Sequence, residues 1–219
     1  MKHFNSILRR IDPSATKTRN KYAIPTTEQP NAWIRQHIYV NQWLCFVPDT
    51  YIKDQFNLYG LQNMDRYQAA IDVIKDDRID PDVEIPASQL QNICSNLYAQ
   101  IHQRFILTPQ GMTMMRRKFE AGVFGTCPRY QCQGQHMLPL GLSPNPGESK
   151  AVCFCPRCRD LYSARTDVDG ANFGPYFPHC FLQMNKDLCS IPKSERIEFS
   201  ICGIPVKEKS ELDKLRVHR

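Results

Sequence analysis

Two close pairs of cysteines constrain the fold of this chain more than any other feature of its sequence. The first pair, Cys127 and Cys132, encloses four residues. The second pair, Cys155 and Cys158, encloses two residues, and 22 residues separate the pairs. Such pairs, joined by a hairpin-sized insert, are typical of a zinc ribbon, in which each pair forms a tight turn that directs its thiolates toward one point. We therefore expect these four thiolates to bind one Zn²⁺ ion per chain.

A site of four thiolates is expected to have a structural role. The four ligands complete the tetrahedral shell of Zn²⁺, so no position is left for water or substrate. Zinc binding at such sites contributes roughly 10–16 kcal/mol of apparent folding free energy. Two disulfides or free core thiols are the alternatives. Cys153 is interpreted as a bystander, because Cys155 and Cys158 keep the two-residue spacing whereas Cys153 and Cys155 do not.

The number of cysteines narrows the class of protein. Ten cysteines in 219 residues indicate either a secreted disulfide framework or an intracellular metal protein. The first 20 residues lack the apolar stretch of about 7–15 residues that a secretory signal requires, which disfavours disulfides. No apolar run approaches about 18 residues, so no membrane-spanning helix is predicted. We therefore expect a cytoplasmic or nuclear protein, or one found in both, whose other cysteines are small buried hydrophobic residues.

Changes in composition divide the chain into four segments and predict an α+β fold. Residues 1–32 are polar and basic, and are interpreted as a disordered extension, with a mitochondrial presequence as the alternative. Residues 33–124 carry helical periodicity and predict a small all-helical N-terminal domain. Residues 125–182, rich in glycine, proline and cysteine, form the predicted zinc-ribbon domain. Residues 183–219 are expected to be an irregular C-terminal tail.

Two consecutive helices in the first half have predicted starts. The earlier one begins near Ser88 and has one continuous apolar face, formed by Leu90, Ile93, Cys94, Leu97, Tyr98, Ile101 and Phe105. Thr108 and Pro109 then match the N-cap and the first residue of the next helix. Gly122 is the expected end of that second helix.

The segments after residue 124 are predicted to be strands and turns. Helical periodicity disappears there, and 151–154 and 160–163 have the composition of short strands. The sequence contains no phosphate-binding glycine loop, kinase catalytic loop, serine-hydrolase motif or zinc-protease motif. We therefore expect that the chain is not an enzyme, with dispersed catalytic residues as the alternative.

A zinc ribbon that binds nucleic acid is a further alternative. The formal net charge is +6, from 28 Lys and Arg residues against 22 Asp and Glu residues. Four basic residues lie in or beside the ribbon: Arg129, Lys150, Arg157 and Arg159. No groove of stacking aromatic residues accompanies them, so nucleic acid is not the expected partner.

The cysteine pairs belong to a longer series of motifs. Residues 138–143 read LPLGLS, residues 146–148 read PGE, and residues 155–158 read CPRC. The block DGANFG follows at 169–174, and the block YIKDQFNL lies in the first half of the chain. Taken together over about residues 33–205, these blocks resemble the regulatory beta subunit family of casein kinase II.

The resemblance implies a regulatory and scaffold subunit that contributes no chemistry of its own. In that family the zinc ribbon packs against the ribbon of a second copy, which implies a homodimer and makes residues 125–182 a dimerisation domain. The dimer holds two catalytic alpha subunits in a 2:2 heterotetramer, and residues 183–219 are the partner-docking tail. The expected role is to modulate activity and substrate choice in phosphorylation signalling, Wnt signalling included.

The hairpin that contacts the catalytic subunit departs from the family pattern. Family members carry a Tyr-Gly-Phe-type sequence before a proline at its tip. Here Phe199-Ser200-Ile201 before Pro205 is aligned with that sequence, and the candidate contacts are Phe199, Ile201 and Ile204. Replacing a buried aromatic anchor by an aliphatic residue can cost about 2 kcal/mol or more, so weaker docking is expected.

The acidic loop of the family is diluted in this chain. Its carboxylates are Asp76, Asp77, Asp80, Asp82 and Glu84, and Lys75 and Arg78 interrupt them. The basic extension also replaces the acidic start of family members. These departures indicate a divergent paralogue, of which the Stellate-related insect copies found in testis are the nearest suggested kind.

Overall fold

The computed structural model describes residues 31–75, 85–189, 200–202 and 204–205. Helices in these segments are α1 (Ala32–Val40), α2 (Asp49–Lys53), α3 (Tyr67–Lys75), α4 (Ala87–Phe105), α5 (Pro109–Glu120), α6 (Phe177–Met184) and α7 (Lys186–Cys189). One antiparallel sheet contains β1 (Leu138–Leu140), β2 (Val152–Phe154) and β3 (Leu161–Ser163), and a hairpin contains β4 (Ser200–Ile201) and β5 (Ile204–Pro205). This mixture of helices and small sheets confirms the predicted α+β class. In these segments no helix combines the length and apolar character needed to cross a membrane.

Helix α5 begins and ends where local sequence rules place it. The hydroxyl oxygen of Thr108 accepts a hydrogen bond from the Gly111 amide at 3.1 Å, and Pro109 is the first residue of α5. At the other end, the Val123 amide donates to the Lys118 carbonyl while Gly122 has a φ of +69°. This is the Schellman arrangement, which favours glycine because of the left-handed backbone. The predicted cap and stop are confirmed.

Two helices lie where the sequence predicted only strands, turns and an irregular tail. The expectation that helical structure ends at residue 124 is wrong, because α6 and α7 occupy most of residues 177–189. Helix α6 has eight residues, too few for a clear periodic pattern, and Pro178 sits at its start. It forms because Phe177 and Phe181 are buried, with no exposed ring surface.

The hydrophobic core is continuous across the predicted boundary between residues 124 and 125. Ile34 and Tyr98 from the helical half belong to the same buried cluster as Phe173 and Phe177 from the second half. Phe119 of α5 contacts Phe181 of α6 with ring centroids 5.6 Å apart. The composition of the sequence changes at this boundary, but the packing does not.

A backbone contact brings the end of β1 against the turn at Gly170–Asn172. A methyl group at Gly141 would overlap the carbonyl oxygen of Gly170, so only glycine fits at position 141. The Gly141 amide donates to the Gly174 carbonyl at 3.1 Å. Gln103 of α4 donates to the Ala171 carbonyl at 3.0 Å. The sheet and the longest helix are therefore joined through this turn.

His102 is a fully buried junction between α4 and two loops. Its Nε2 atom accepts a hydrogen bond from the Cys45 amide at 2.8 Å, so the ring proton lies on Nδ1. Nδ1 donates to the Asn172 carbonyl, also at 2.8 Å. Burial is the main cause that lowers the pKa of His102 from 6.5 to about 4; the hydrogen bond to Asn172 opposes this shift, and nearby Lys118 and His37 add to it. The imidazole is therefore neutral in the folded chain at pH 7.

We expect the chain to lose stability as the pH falls from 7 to 5. Burial also lowers the pKa of His37 to about 4, so the unfolded chain binds more protons than the folded chain between pH 6.5 and pH 4. Between pH 7 and pH 5, each histidine then lowers the free energy of unfolding by about 2 kcal/mol. Urea denaturation at pH 7 and pH 5 measures the total change in the free energy of unfolding.

A variant separates this effect from protonation elsewhere in the chain. His37 stacks on Trp33 at 4.7 Å and meets Tyr98 edge-on at 5.2 Å, so His37→Phe keeps the ring contacts and removes the titrating group. The variant should lose about 2 kcal/mol less than the unaltered chain between pH 7 and pH 5. An equal loss in both proteins would contradict the assignment to His37.

Candidate metal centre

The four predicted cysteine ligands converge in the structure. The sulfur atoms of Cys127, Cys132, Cys155 and Cys158 all lie within 4.8 Å of one another. The Cys127–Cys158 distance is 3.8 Å and the Cys132–Cys155 distance is 3.9 Å. A tetrahedron with metal–sulfur bonds of about 2.3 Å has edges of about 3.8 Å. The cluster could therefore hold a metal ion, and its spacing matches tetrahedral coordination by thiolates.

The first cysteine pair is shaped by a short turn. Tyr130–Cys132 forms a 3₁₀ turn, after which Gln133 has a φ of +51° and reverses the chain. The Cys127 amide then donates to the Gln135 carbonyl at 2.8 Å. This hydrogen bond closes the loop, so both thiols of the pair face the same point.

The second pair is shaped by hydrogen bonds to sulfur and by another left-handed residue. The amides of Arg157 and Cys158 are directed at the Cys155 sulfur, a contact that stabilises a thiolate. Arg159 has a φ of +62°, and its amide donates to the Cys155 carbonyl at 2.8 Å. The Cys155 amide donates to the Asp160 carbonyl at 3.1 Å, which completes the turn.

Arginine side chains connect the two turns. Arg129 of the first turn forms an ion pair with Asp160 at 3.1 Å. Arg157 of the second turn donates to the Cys132 carbonyl at 3.4 Å and to the Gln133 side chain at 3.1 Å. Both residues belong to the basic group that supported a nucleic-acid interface. Their engagement inside the ribbon, together with the Lys150–Asp167 ion pair at 2.6 Å, disfavours that alternative.

The electrostatics of the cluster favour a bound cation. Burial raises the pKa of Cys132 and of Cys155, so these thiols hold their protons when no positive charge is near. Burial alone would also raise the pKa of Cys158, but hydrogen bonds from the Tyr162 hydroxyl and the Asp160 amide bring it to about 7. A divalent cation displaces thiol protons and reduces the repulsion among thiolates. The donor set therefore fits a metal ion.

The other cysteines whose side chains the structure describes do not join the cluster, and all nine described thiols are free. Cys153 is buried, and its thiol donates a hydrogen bond to the Phe124 carbonyl at 3.4 Å. Cys45 and Cys94 are buried as expected, but Cys202 is exposed. The disulfide alternative therefore has no support among the described residues.

The two histidines near the ribbon lie outside the cluster. His136 packs edge-on against Phe119, with ring centroids 6.0 Å apart. His179 is exposed on α6. Neither belongs to the group of described residues that could hold a metal ion.

The predicted contacts with the catalytic subunit are only partly within the described residues. Ile201 pairs with Ile204 across the β4–β5 hairpin, and Ile204 is 71% exposed. Cys202 follows β4 with a φ of +52° and is exposed. Phe199 lies outside the described residues, as do Asp76, Asp77, Asp80, Asp82 and Glu84. The roles of all these residues remain predictions.

A groove beside the ribbon was not predicted from the sequence. It has a volume of about 670 Å³ and an apolar lining that includes Leu140, Phe154, Leu161, Pro178 and Leu188. Arg159 and His179 also line it. The lining joins the three-stranded sheet to α6 and α7, so no local pattern could reveal it before those helices were known.

Comparison with known proteins agrees with the resemblance found in the motifs. Residues 32–205 match the family described as casein kinase II regulatory subunit. The chain is 42% identical over 165 residues to casein kinase II subunit beta' of Drosophila melanogaster, covering 73% of this chain and 74% of that protein. It is 39% identical over 161 residues to casein kinase II subunit beta of Schizosaccharomyces pombe, covering 71% of this chain and 69% of that protein.

A third relative covers more of the chain. Casein kinase II subunit beta of Dictyostelium discoideum is 33% identical over 200 residues, which span 88% of this chain and 75% of that protein. The family match covers most of the described fold, and it includes all four clustered cysteines. The chain therefore belongs to the casein kinase II regulatory subunit family.

Proposed function

We propose that this chain is a non-catalytic regulatory and scaffold subunit that binds the catalytic alpha subunit of casein kinase II. In this role it modulates the activity and the substrate choice of the kinase. The observation that carries the proposal is the family match over residues 32–205. The closed arrangement of four cysteines adds support, because it suits a rigid platform rather than a reaction centre. We place the protein in the cytoplasm, the nucleus or both.

The proposed metal is one structural Zn²⁺ ion per chain, held by Cys127, Cys132, Cys155 and Cys158. When bound, zinc would offset two of the four thiolate charges and hold the two turns together. The Tyr162 hydroxyl, 3.2 Å from the Cys158 sulfur, can donate to that thiolate and spread its charge. The amide groups around Cys155 do the same at the buried side of the cluster.

A second copy of the chain is the proposed partner of the ribbon surface. Tyr130, beside the metal centre, is 94% exposed, and Leu161 on the edge strand β3 is 49% exposed. Leu161 also lines the apolar groove between the sheet and α6. Exposed apolar surface of this kind marks an interaction site. A two-fold axis would bury the same patch on both copies, as is usual for homodimers.

The proposed docking element for the catalytic subunit is the β4–β5 hairpin. Its register pairs Ser200 with Pro205 and Ile201 with Ile204. The family sequence Tyr-Gly-Phe before a proline fits Cys202-Gly203-Ile204 better than residues 199–201, because a glycine then matches a glycine and Pro205 follows directly in the sequence. On this alignment both aromatic residues are replaced, and docking should be weaker than in relatives that keep them.

Co-purification with the catalytic subunit, with mass and zinc content recorded together, tests the proposal. We expect a 2:2 complex at micromolar concentration with one zinc ion per chain. The absence of any complex under these conditions would show that the family role is lost. A complex containing one copy of this chain would contradict the proposed homodimer.

A further inference from the structure

A metal centre made of four thiolates keeps a negative charge after the ion has bound. Four thiolates and one Zn²⁺ ion carry two net negative charges. Little water can screen these charges, since Cys132 and Cys155 have no exposed surface. A buried charge is unfavourable unless groups of opposite charge lie close by. The affinity of the centre for zinc therefore depends on the cations that the two turns place around it.

The two turns supply positive charge in the matching amount. The first turn contains one charged side chain, Arg129, and the second contains Arg157, Arg159 and Asp160. Three arginines and one aspartate leave two positive charges, which equals the negative excess of a zinc-bound cluster. Arg129 is held in an ion pair with Asp160 at 3.1 Å, and Arg159 is exposed. Arg157 is therefore the arginine best placed to offset the charge of the cluster itself.

Arg157 lies between the two ligands of the second pair and reaches the turn that carries the first pair. Its Nη1 atom donates to the Cys132 carbonyl at 3.4 Å and to the side-chain oxygen of Gln133 at 3.1 Å. A carbonyl oxygen is separated from the sulfur of its own cysteine by four covalent bonds, so this contact places Nη1 within about 8 Å of the Cys132 sulfur. The positive charge of Arg157 is therefore close to a ligand of the other pair.

One donor of the Arg157 guanidinium is not used. Its Nε atom is buried and has no hydrogen-bond partner among the described residues. A buried donor without an acceptor is unfavourable, and most such donors in folded proteins are paired. A thiol is a weak acceptor, whereas a charged thiolate accepts more strongly. The cysteines become thiolates when a metal binds, so the metal-bound cluster offers this donor nearby acceptors.

We propose that Arg157 is a positioning residue of the metal centre, whose guanidinium holds the first turn at the Cys132 carbonyl and offsets the negative charge of the metal-bound thiolates. The chain therefore binds zinc more tightly than it would without this side chain. This step rests on the proposed zinc ion and does not depend on the kinase partner. Arginine suits the place because it is always charged and has several donors, which can act on a carbonyl and on sulfur together.

The test uses the full chain and measures its zinc affinity by competition with a chelating dye. Arg157→Gln removes the charge and should weaken zinc binding about tenfold, as is typical when a partner of a metal ligand is lost. Arg157→Lys keeps the charge but not the fork of donors, and should bind within about threefold of the unaltered chain.

Arg165→Gln is the matched control for the loss of charge. Arg165 is an exposed arginine of the same ribbon, seven positions after Cys158. The substitution removes one positive charge, as Arg157→Gln does, but from a side chain surrounded by water and salt. Its zinc affinity should stay within about twofold of that of the unaltered chain.

Two further measurements separate an effect of charge from a defect in packing. Co²⁺ bound by four thiolates gives visible absorption bands that report its geometry, and these bands should be the same in Arg157→Gln and in the unaltered chain. The loss of zinc affinity should shrink from about tenfold in dilute buffer to about threefold at ~1 M salt, since ions screen the charge of Arg157. Shifted or absent cobalt bands, or a loss that does not depend on salt, would overturn the role of Arg157 as a counter-charge.

The other outcomes also decide the question. Unchanged zinc affinity in Arg157→Gln would overturn the proposal and leave the zinc site itself intact. Equal losses in Arg157→Gln and Arg165→Gln would show a general effect of net charge and overturn it as well. Binding by Arg157→Lys as weak as that by Arg157→Gln would show that the charge is not what matters. If the unaltered chain binds neither zinc nor cobalt, the proposed metal fails and this proposal falls with it.

Discussion

Replacing Cys155 by serine is expected to abolish metal binding and to unfold the ribbon. Serine keeps the size of the side chain but removes a thiolate from a cluster in which this sulfur is fully buried. Three remaining thiolates bind zinc far less tightly, and the metal supplies roughly 10–16 kcal/mol of apparent folding free energy at such sites. Elemental analysis should show a fall from one zinc ion per chain to less than about a tenth.

The structure offers a closely matched control for this substitution. Cys153 is also buried and lies two residues earlier, on β2, but its sulfur contacts the Phe124 carbonyl instead of the cluster. A serine hydroxyl at position 153 can make the same contact. Cys153→Ser should therefore keep the metal and the protection of the β1–β2 amides. Loss of metal in this control, or its retention in Cys155→Ser, would contradict the ligand assignment.

Replacing Ile204 by phenylalanine is expected to strengthen binding to the catalytic subunit about tenfold. Ile204 is 71% exposed on β5, beside the turn of the hairpin, and the proposed alignment matches it with an aromatic residue of the family pattern. An aromatic ring buries more apolar surface in a partner pocket, and tenfold in affinity corresponds to about 1.4 kcal/mol. Isothermal titration calorimetry with the purified catalytic subunit measures the change.

A second substitution separates a specific contact from added hydrophobicity. Val40 at the end of α1 is 72% exposed, nearly the same as Ile204, so Val40→Phe adds the same ring at an unrelated place. The affinity of Val40→Phe for the catalytic subunit should stay within twofold of that of the unaltered chain. Equal gains from both substitutions would show non-specific association. A loss of affinity with Ile204→Phe would show that the pocket of the partner has adapted to an aliphatic tip.

The parts of the structure that follow from short-range patterns could be predicted from the sequence. Cysteine spacing identified the four residues that converge, because each pair is brought together by its own turn. The two ends of α5 were predictable from Thr108 and Gly122, because a helix cap also depends only on residues next to it in the sequence. In each case the interacting residues lie within a few positions of one another.

The parts that depend on distant contacts could not be predicted in this way. Strand β1 contains Pro139, which argues against a strand, and it forms because it needs only one neighbour, β2. Lysine is a residue type that is usually exposed, and Lys118 lies near the end of α5. It is 6% exposed instead, and its ammonium donates to the Gln42 carbonyl at 2.7 Å. That partner is 76 positions away and leaves no local signal.

The continuous core has a consequence for how such chains can be recombined. A fragment that stops at residue 124 would expose the faces of α4 and α5 that Phe173 and Phe181 cover. A chimeric chain made from two relatives must therefore take the helices and the ribbon from the same parent. The hairpin tip, which is exposed at Cys202 and Ile204, is free of this requirement. In the proposed docking role, substitutions at the tip would change the affinity for the partner without disturbing the packing of the rest of the chain.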